Sequence, residues 1–265
     1  MITALRLELR RGLMLVVWVA VVSMIYAGII TAFYPTILEN AAEFEKMMAI
    51  YPKELMAAFG ISGSLGDPGT FINSYIFQFL WPLTAGIVAI LAATRMAVDA
   101  DTGFLDLPLS SRLPRVRYLA ATIVAQAIGM AGLTILTMGS IVAVDLFIEP
   151  DFDWARLLLA GLHAFNMGIA IAGVTTVLAV VLLDRGRAGG IAAAILIFMY
   201  LLNVIAALSP DVKELARLSV FHYFDLKAVV TDGVYPVADS VLFLAFAVGG
   251  WLLSLVLFQR RDLAA

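Results

Sequence analysis

Apolar residues run along this chain in six long blocks, at about 12–34, 71–97, 118–147, 155–183, 190–208 and 237–258, separated by shorter polar stretches. A bilayer core about 30 Å thick is crossed by about 20 apolar residues in a helix, so each block is long enough to span. Several exceed that minimum, which leaves room for tilt or for an extension into water. Lipid cannot satisfy loose backbone polar groups, so the spans are expected to be helical and the fold all-α and polytopic.

Before the first block, Ile2, Leu5, Leu9 and Leu13 recur at helical spacing, with Thr3, Arg6, Glu8, Arg10 and Arg11 largely on the opposite face. This pattern predicts a helix lying in the membrane interface, although Leu7 fits it poorly; the plainer reading is a charged flank to an anchor helix. The first block is about twice the length of a signal-peptide core and no convincing cleavage site follows it, so an uncleaved anchor is expected. Between the first two blocks, Ile37, Leu38, Phe44, Met47, Met48 and Tyr51 mix with Glu39, Glu43, Glu45 and Lys46, which predicts surface helices. The stretch GISGSLGDPGT then reads as a flexible hinge. The apolar but broken segment 210–236 reads as interfacial or re-entrant.

Composition agrees with the pattern. The chain is 63% hydrophobic and 14% charged, with a mean hydropathy of +1.00, whereas soluble domains carry roughly a quarter charged residues. A net charge of -3 gives no basic stripe, so nucleic acid is not an expected partner. There are no cysteines, which excludes disulfides and thiolate chemistry. No repeat and no polar stretch long enough for a soluble domain is visible, so residues 1–265 are expected to form a single membrane domain.

Charge also suggests an orientation. With the N-terminus inside, eleven of the 17 basic residues share one side with only six acids, while the other side carries six basic residues and 14 acids. The positive-inside rule then places both termini and the polar stretch 95–117 in the cytoplasm, the chain being integral to a plasma membrane.

Candidate chemistry is sparse. All four lysines (Lys46, Lys53, Lys213, Lys227) fall in the expected outer loops and none follows glycine, so the chain lacks a phosphate-binding loop and is not expected to hydrolyse ATP itself. His163 and His222 are far apart, with no paired-histidine metal spacing. Asp99, Asp101 and Asp106 suggest a divalent-cation site of a membrane lipid phosphotransferase, but the run continues into Leu-Pro-Leu rather than further carboxylates. Within the spans, His163 and Asn166 share a helical face expected near mid-bilayer, with Gln126 and Asn203 as further polar groups. Intramembrane polar groups are costly and mark candidate positions on a translocation pathway, although uncharged ones also serve simply to bond neighbouring helices. Asp145 is expected at the outer end of the third span. Gly168/Ala172, Gly189/Ala193, Gly190/Ala194, Ala245/Gly249 and Gly250/Ser254 are small pairs that allow close helix approach, within the bundle or against a second copy.

The polar island 95–117 holds the most specific signal. Asp99 and Asp101 lead into Gly103, Leu105, Leu107, Ser110, Ser111, Arg112, Pro114 and Arg115, the order of a short docking helix with a turn behind it. An acid at a helix start suits the macrodipole, and Pro114 stops the helix. The run Asp101, Gly103, Leu105, Leu107, Leu109, Ser110, Arg112 resembles the coupling region of type-2 ABC exporter permeases. LSVFHYFD at 218–225, FQRRDL at 258–263 and the N-terminal RLELRR, including Leu5, Glu8, Leu9, Arg10 and Arg11, are similar to that family's segments as well, the last to its elbow helix. This chain departs from the family in having Asp101 where glutamate is usual, Pro108 within the leucine run, and Arg117 near the usual lysine. It also lacks the loop signature of importers, which favours export.

The resemblance implies a half-transporter without a catalytic residue of its own. Two such halves pair and bind separate ATP-binding-cassette subunits that carry ATP and Mg. Asp101 and Gly103 would start the coupling helix, Leu105 and Leu107 would seat in the ATPase, and Arg112 would anchor the turn. The cargo implied is a hydrophobic or amphipathic drug, peptide or lipid-like compound. An ion-driven secondary transporter using His163 or Asp145 is the alternative, for which internal repeats and broken helices would be required and are not seen.

Overall fold

A computed structural model describes residues 2–52, 56, 63–95, 97–98, 115–148 and 152–260. Among these the chain is all-helical, with six helices long and apolar enough to cross a membrane, and it is an integral membrane protein. The spans are carried by α1 (Ile2–Glu39), α3 (Pro68–Ala93), α4 (Arg115–Asp145), α5 (Trp154–Leu182), α6 (Arg185–Leu208) and α8 (Val237–Arg260). A surface helix α2 (Ala41–Met48), with no buried residue, follows α1. A short α7 (Lys227–Asp232) lies between the last two spans.

The N-terminal segment expected to lie in the interface is helical and runs without a break into the first span, from Ile2 to Glu39, through Leu5, Glu8, Leu9, Arg10 and Arg11. Asp99, Asp101, Gly103, Leu105, Leu107, Ser110, Ser111, Arg112 and Pro114, with Asp106, lie outside the described residues. Arg115 opens α4.

Helix starts follow local capping. Asp67 caps α3 through Thr70 N at 2.7 Å, with Pro68 in the first turn. Asp153 accepts from Ala155 N and Arg156 N at the start of α5. Asp184 accepts from Arg187 N at 2.8 Å and starts α6. Each carboxylate satisfies backbone donors that a helix start leaves open. The cap at Asp184 moves the start of α6 from the expected 190 to Arg185 and reduces the link from α5 to Leu183 and Asp184. Leu183 takes a left-handed φ of 49° to make this tight reversal. The hinge expected before the second span ends, from Gly63 onward, in an ordered turn, where Tyr34 Oη donates to Gly66 O at 2.7 Å.

The second span is not a uniform α-helix. Asn73–Leu80 is π-helical, and Trp81–Ala93 resumes the α form. Pro82 lacks the N–H that would bond the carbonyl of Gln78, and its ring crowds that carbonyl, so a widened turn just upstream relieves the clash.

α5 is the central span. Two thirds (67%) of its most apolar window is buried against 11% for α6, and it contacts α3, α4, α6, α7 and α8. α1 packs mainly on α4. Since lipid tails are as apolar as the side chains, close backbone approach rather than exclusion of water holds such helices together. A Cβ on Gly173 would fall 2.7 Å from Ala247 O, and one on Gly250 2.6 Å from Gly173 C, so α5 and α8 meet backbone to backbone at this crossing. Of the small residues expected to pack, Gly250 therefore finds Gly173, which the spacing rule did not pair with it. Gly168 faces the Met130 side chain, whereas Gly190 and Gly249 have nothing within 4 Å.

Candidate functional site

The segment expected to be interfacial or re-entrant, 210–236, folds inward over one end of the bundle. It forms two 3-10 turns, Pro210–Leu218 and Val220–Tyr223, then α7. Phe221, Phe224, Leu226 and Val229 are buried in the main core. Side chains of the spans take its backbone carbonyls: Gln78 Nε2 of α3 donates to Phe224 O at 2.9 Å, and Arg156 of α5 donates to Thr231 O. In return Ser219 Oγ donates to Met199 O of α6 at 2.7 Å. Irregular backbone beside lipid needs such partners, because water is not there to replace them.

His163 is the deepest of these anchors, with no exposed surface. Its Nε2 lies 3.1 Å from Tyr223 O and its Nδ1 2.7 Å from Ser240 Oγ. A carbonyl only accepts, so Nε2 carries the proton and Nδ1 of the neutral ring accepts from Ser240. The single Ser240 proton being used there, Tyr235 Oη, 2.8 Å from Ser240 Oγ, donates to it. Asn166 Nδ2, 3.2 Å from Tyr235 Oη, donates to the phenol oxygen in turn. The result is a one-way chain from Asn166 through Tyr235, Ser240 and His163 to the Tyr223 carbonyl. It joins α5, the start of α8 and the inserted segment. Phe224 stacks on the imidazole with centroids 5.7 Å apart, and Phe243 tilts against it at 5.2 Å.

His163 lies nine residues, about 13 Å, from the start of a 29-residue helix, and Asn166 three residues further along it. The structure brings His163 and Asn166 together and leaves Gln126 and Asn203 elsewhere. Gln126 is a second node: its Oε1 accepts from Trp251 Nε1 at 3.2 Å and lies 3.1 Å from Thr176 Oγ1, whose proton goes to Ala172 O at 2.7 Å, so α4, α5 and α8 meet here, while the buried Nε2 of Gln126 has no partner. Asn203 is half-buried on α6. Asp145, expected at an interface, is buried and accepts from Trp154 Nε1 at 2.7 Å and Phe152 N at 3.3 Å, which ties the end of α4 to the start of α5. His222 is exposed, edge-on to Tyr223.

Beside the His163 network, α6 and α8 both lean on α5 and, among the described residues, make little contact with each other. The gap is an apolar groove of about 260 Å³. Ile171, Val174, Ile195, Leu196, Phe243 and Phe246 line its sides, and Arg217, Ser219 and Tyr223 of the inserted segment roof one end.

Tyr235, Ser240 and Gln78 escaped the reading of the sequence, and Tyr223 entered it only as part of LSVFHYFD. Gln78 is an intramembrane amide and could have been singled out by the same rule that selected Gln126. Ser240 and Tyr235 sit at the edge of the last span, where such residues are ordinary. No protein-family model matches this chain, and no curated protein matches it either.

Proposed function

We propose that this chain is the transmembrane half of an ATP-driven exporter of the type-2 ABC kind, with no catalytic residue of its own. The observation that carries the reading is the run Asp101, Gly103, Leu105, Leu107, Leu109, Ser110, Arg112, set in the connection between α3 and α4 of a six-span bundle. Six alternating spans return this connection to the end of the bundle that also bears Arg95, Arg117, Arg187 and Arg260. That clustering of arginines favours a cytoplasmic position for the connection and for both termini, in the plasma membrane of a prokaryote. A cassette ATPase docked there would deliver the work of ATP and Mg through the connection. A second permease half, identical or related, would complete the pathway for a hydrophobic or amphipathic compound, as in drug or antibiotic efflux.

Co-expression with candidate cassette ATPases tests this directly. The expected result is co-purification of an ATPase whose turnover responds to the permease, and loss of that response in Leu105→Asp combined with Arg112→Glu. An ATPase that never co-purifies, or one whose coupling ignores the double substitution, overturns the assignment.

A further inference from the structure

The groove between α6 and α8 faces sideways, toward the region that hydrocarbon occupies around the bundle. Val174 on its floor, Phe246 on one wall and Leu218 at its roof are all exposed. The lining below the roof is apolar except for Thr175, whose hydroxyl donates to Ile171 O at 2.8 Å, and the other polar groups gather at the roof. Two of those are already engaged within the protein, since Ser219 Oγ donates to Met199 O and Tyr223 Oη donates to Arg217 O. Arg217 is the one charged side chain on the lining among the described residues, and its only partner is Glu214, 2.9 Å away in a pair with both side chains well exposed. Exposed pairs of this kind contribute little and exchange readily.

The cavity of about 260 Å³ is apolar and open along one side, which suits a flexible methylene chain. Charge decides the head. A guanidinium pairs bidentately with phosphate or carboxylate oxygens, and the Arg217 stem can lie along apolar surface with its head at the water boundary.

We infer that the α6–α8 groove is a binding site for one acyl chain of an anionic phospholipid, whose phosphate is held by Arg217. The chain runs down the wall of α5 past Val174 and Leu178, and the headgroup displaces Glu214 from the guanidinium. This site stands independently of coupling to an ATPase, since it rests on the groove alone.

The test uses the full-length protein in vesicles of phosphatidylcholine doped with phosphatidylglycerol whose acyl chain carries a diazirine, followed by mass spectrometry of the labelled peptides. Labelling is expected to concentrate on 170–178, 192–199 and 242–246, several-fold above the lipid-facing stretch of α1 around Trp18 and Val22. Unlabelled phosphatidylglycerol should compete several-fold better than phosphatidylcholine, and Arg217→Gln should erase that preference. Val174→Trp and Leu178→Trp, which fill the slot from exposed and half-buried positions, should each lower groove labelling while leaving α1 labelling unchanged. Uniform labelling of all lipid-facing spans, a headgroup preference that survives Arg217→Gln, groove labelling untouched by both tryptophans, or cross-links from these peptides to a second copy would each overturn the site.

Discussion

His163 Nδ1 and Ser240 Oγ lie 2.7 Å apart, joining the central span α5 to the first turn of α8. The opposite ring nitrogen holds the Tyr223 carbonyl of the inserted segment at 3.1 Å. One buried imidazole thus fastens three pieces of chain, each of which would leave a polar group without a partner if it were removed.

His163→Phe puts a somewhat larger apolar ring in the site and strips both contacts, stranding Ser240 and the Tyr223 carbonyl. A buried group left without its partner costs about 1–3 kcal/mol, so thermal unfolding in detergent should fall by several degrees. Ser240→Ala likewise strands two groups, Nδ1 and the Tyr235 hydroxyl, and should cost a similar amount. The double variant should cost clearly less than the sum of the two, because the residues share one chain of bonds.

Gly173→Ala should be among the most damaging small substitutions. Its Cβ would stand 2.7 Å from Ala247 O, a backbone atom that cannot rotate away. Overpacking of this sort costs about 1–3 kcal/mol. Gly249→Ala, with nothing within 4 Å, is the matched control and should leave the unfolding temperature near that of the parent. Equal effects at the two positions would refute the α5–α8 crossing.

Gln78→Leu removes the donor to Phe224 O while conserving apolar bulk. A loss of about 1 kcal/mol is expected, and it should be local. Hydrogen exchange of the amides in 220–230 should quicken, while exchange in α4 stays unchanged.

Asp184→Ala should fray the start of α6. The carboxylate accepts from Arg187 N at 2.8 Å, and loss of such a cap costs about 1 kcal/mol. Asp184→Asn retains an acceptor at the cap and should recover most of the loss. Exchange at Arg185–Ala188 reports both variants.

Blocks of apolar residues longer than the bilayer requires determined by themselves that this chain is helical and crosses six times, because a backbone in lipid has no other way to satisfy its polar groups. Local chemistry at Asp67, Asp153 and Asp184 likewise carried the helix starts, since a cap acts within three residues. Which polar residues meet was not legible. Helical spacing put His163 and Asn166 on one face, but only the packing linked them through Tyr235 and Ser240, residues 69 and 77 positions away, and left Gln126 and Asn203 apart. Gly173 and Gly250 belong to different spans, and no spacing rule within one helix pairs them. The inward fold of 210–236 was likewise decided by partners at Gln78, Arg156, His163 and Met199. A segment too short and broken to be a helix on its own takes its shape from whichever donors and acceptors the assembled spans present.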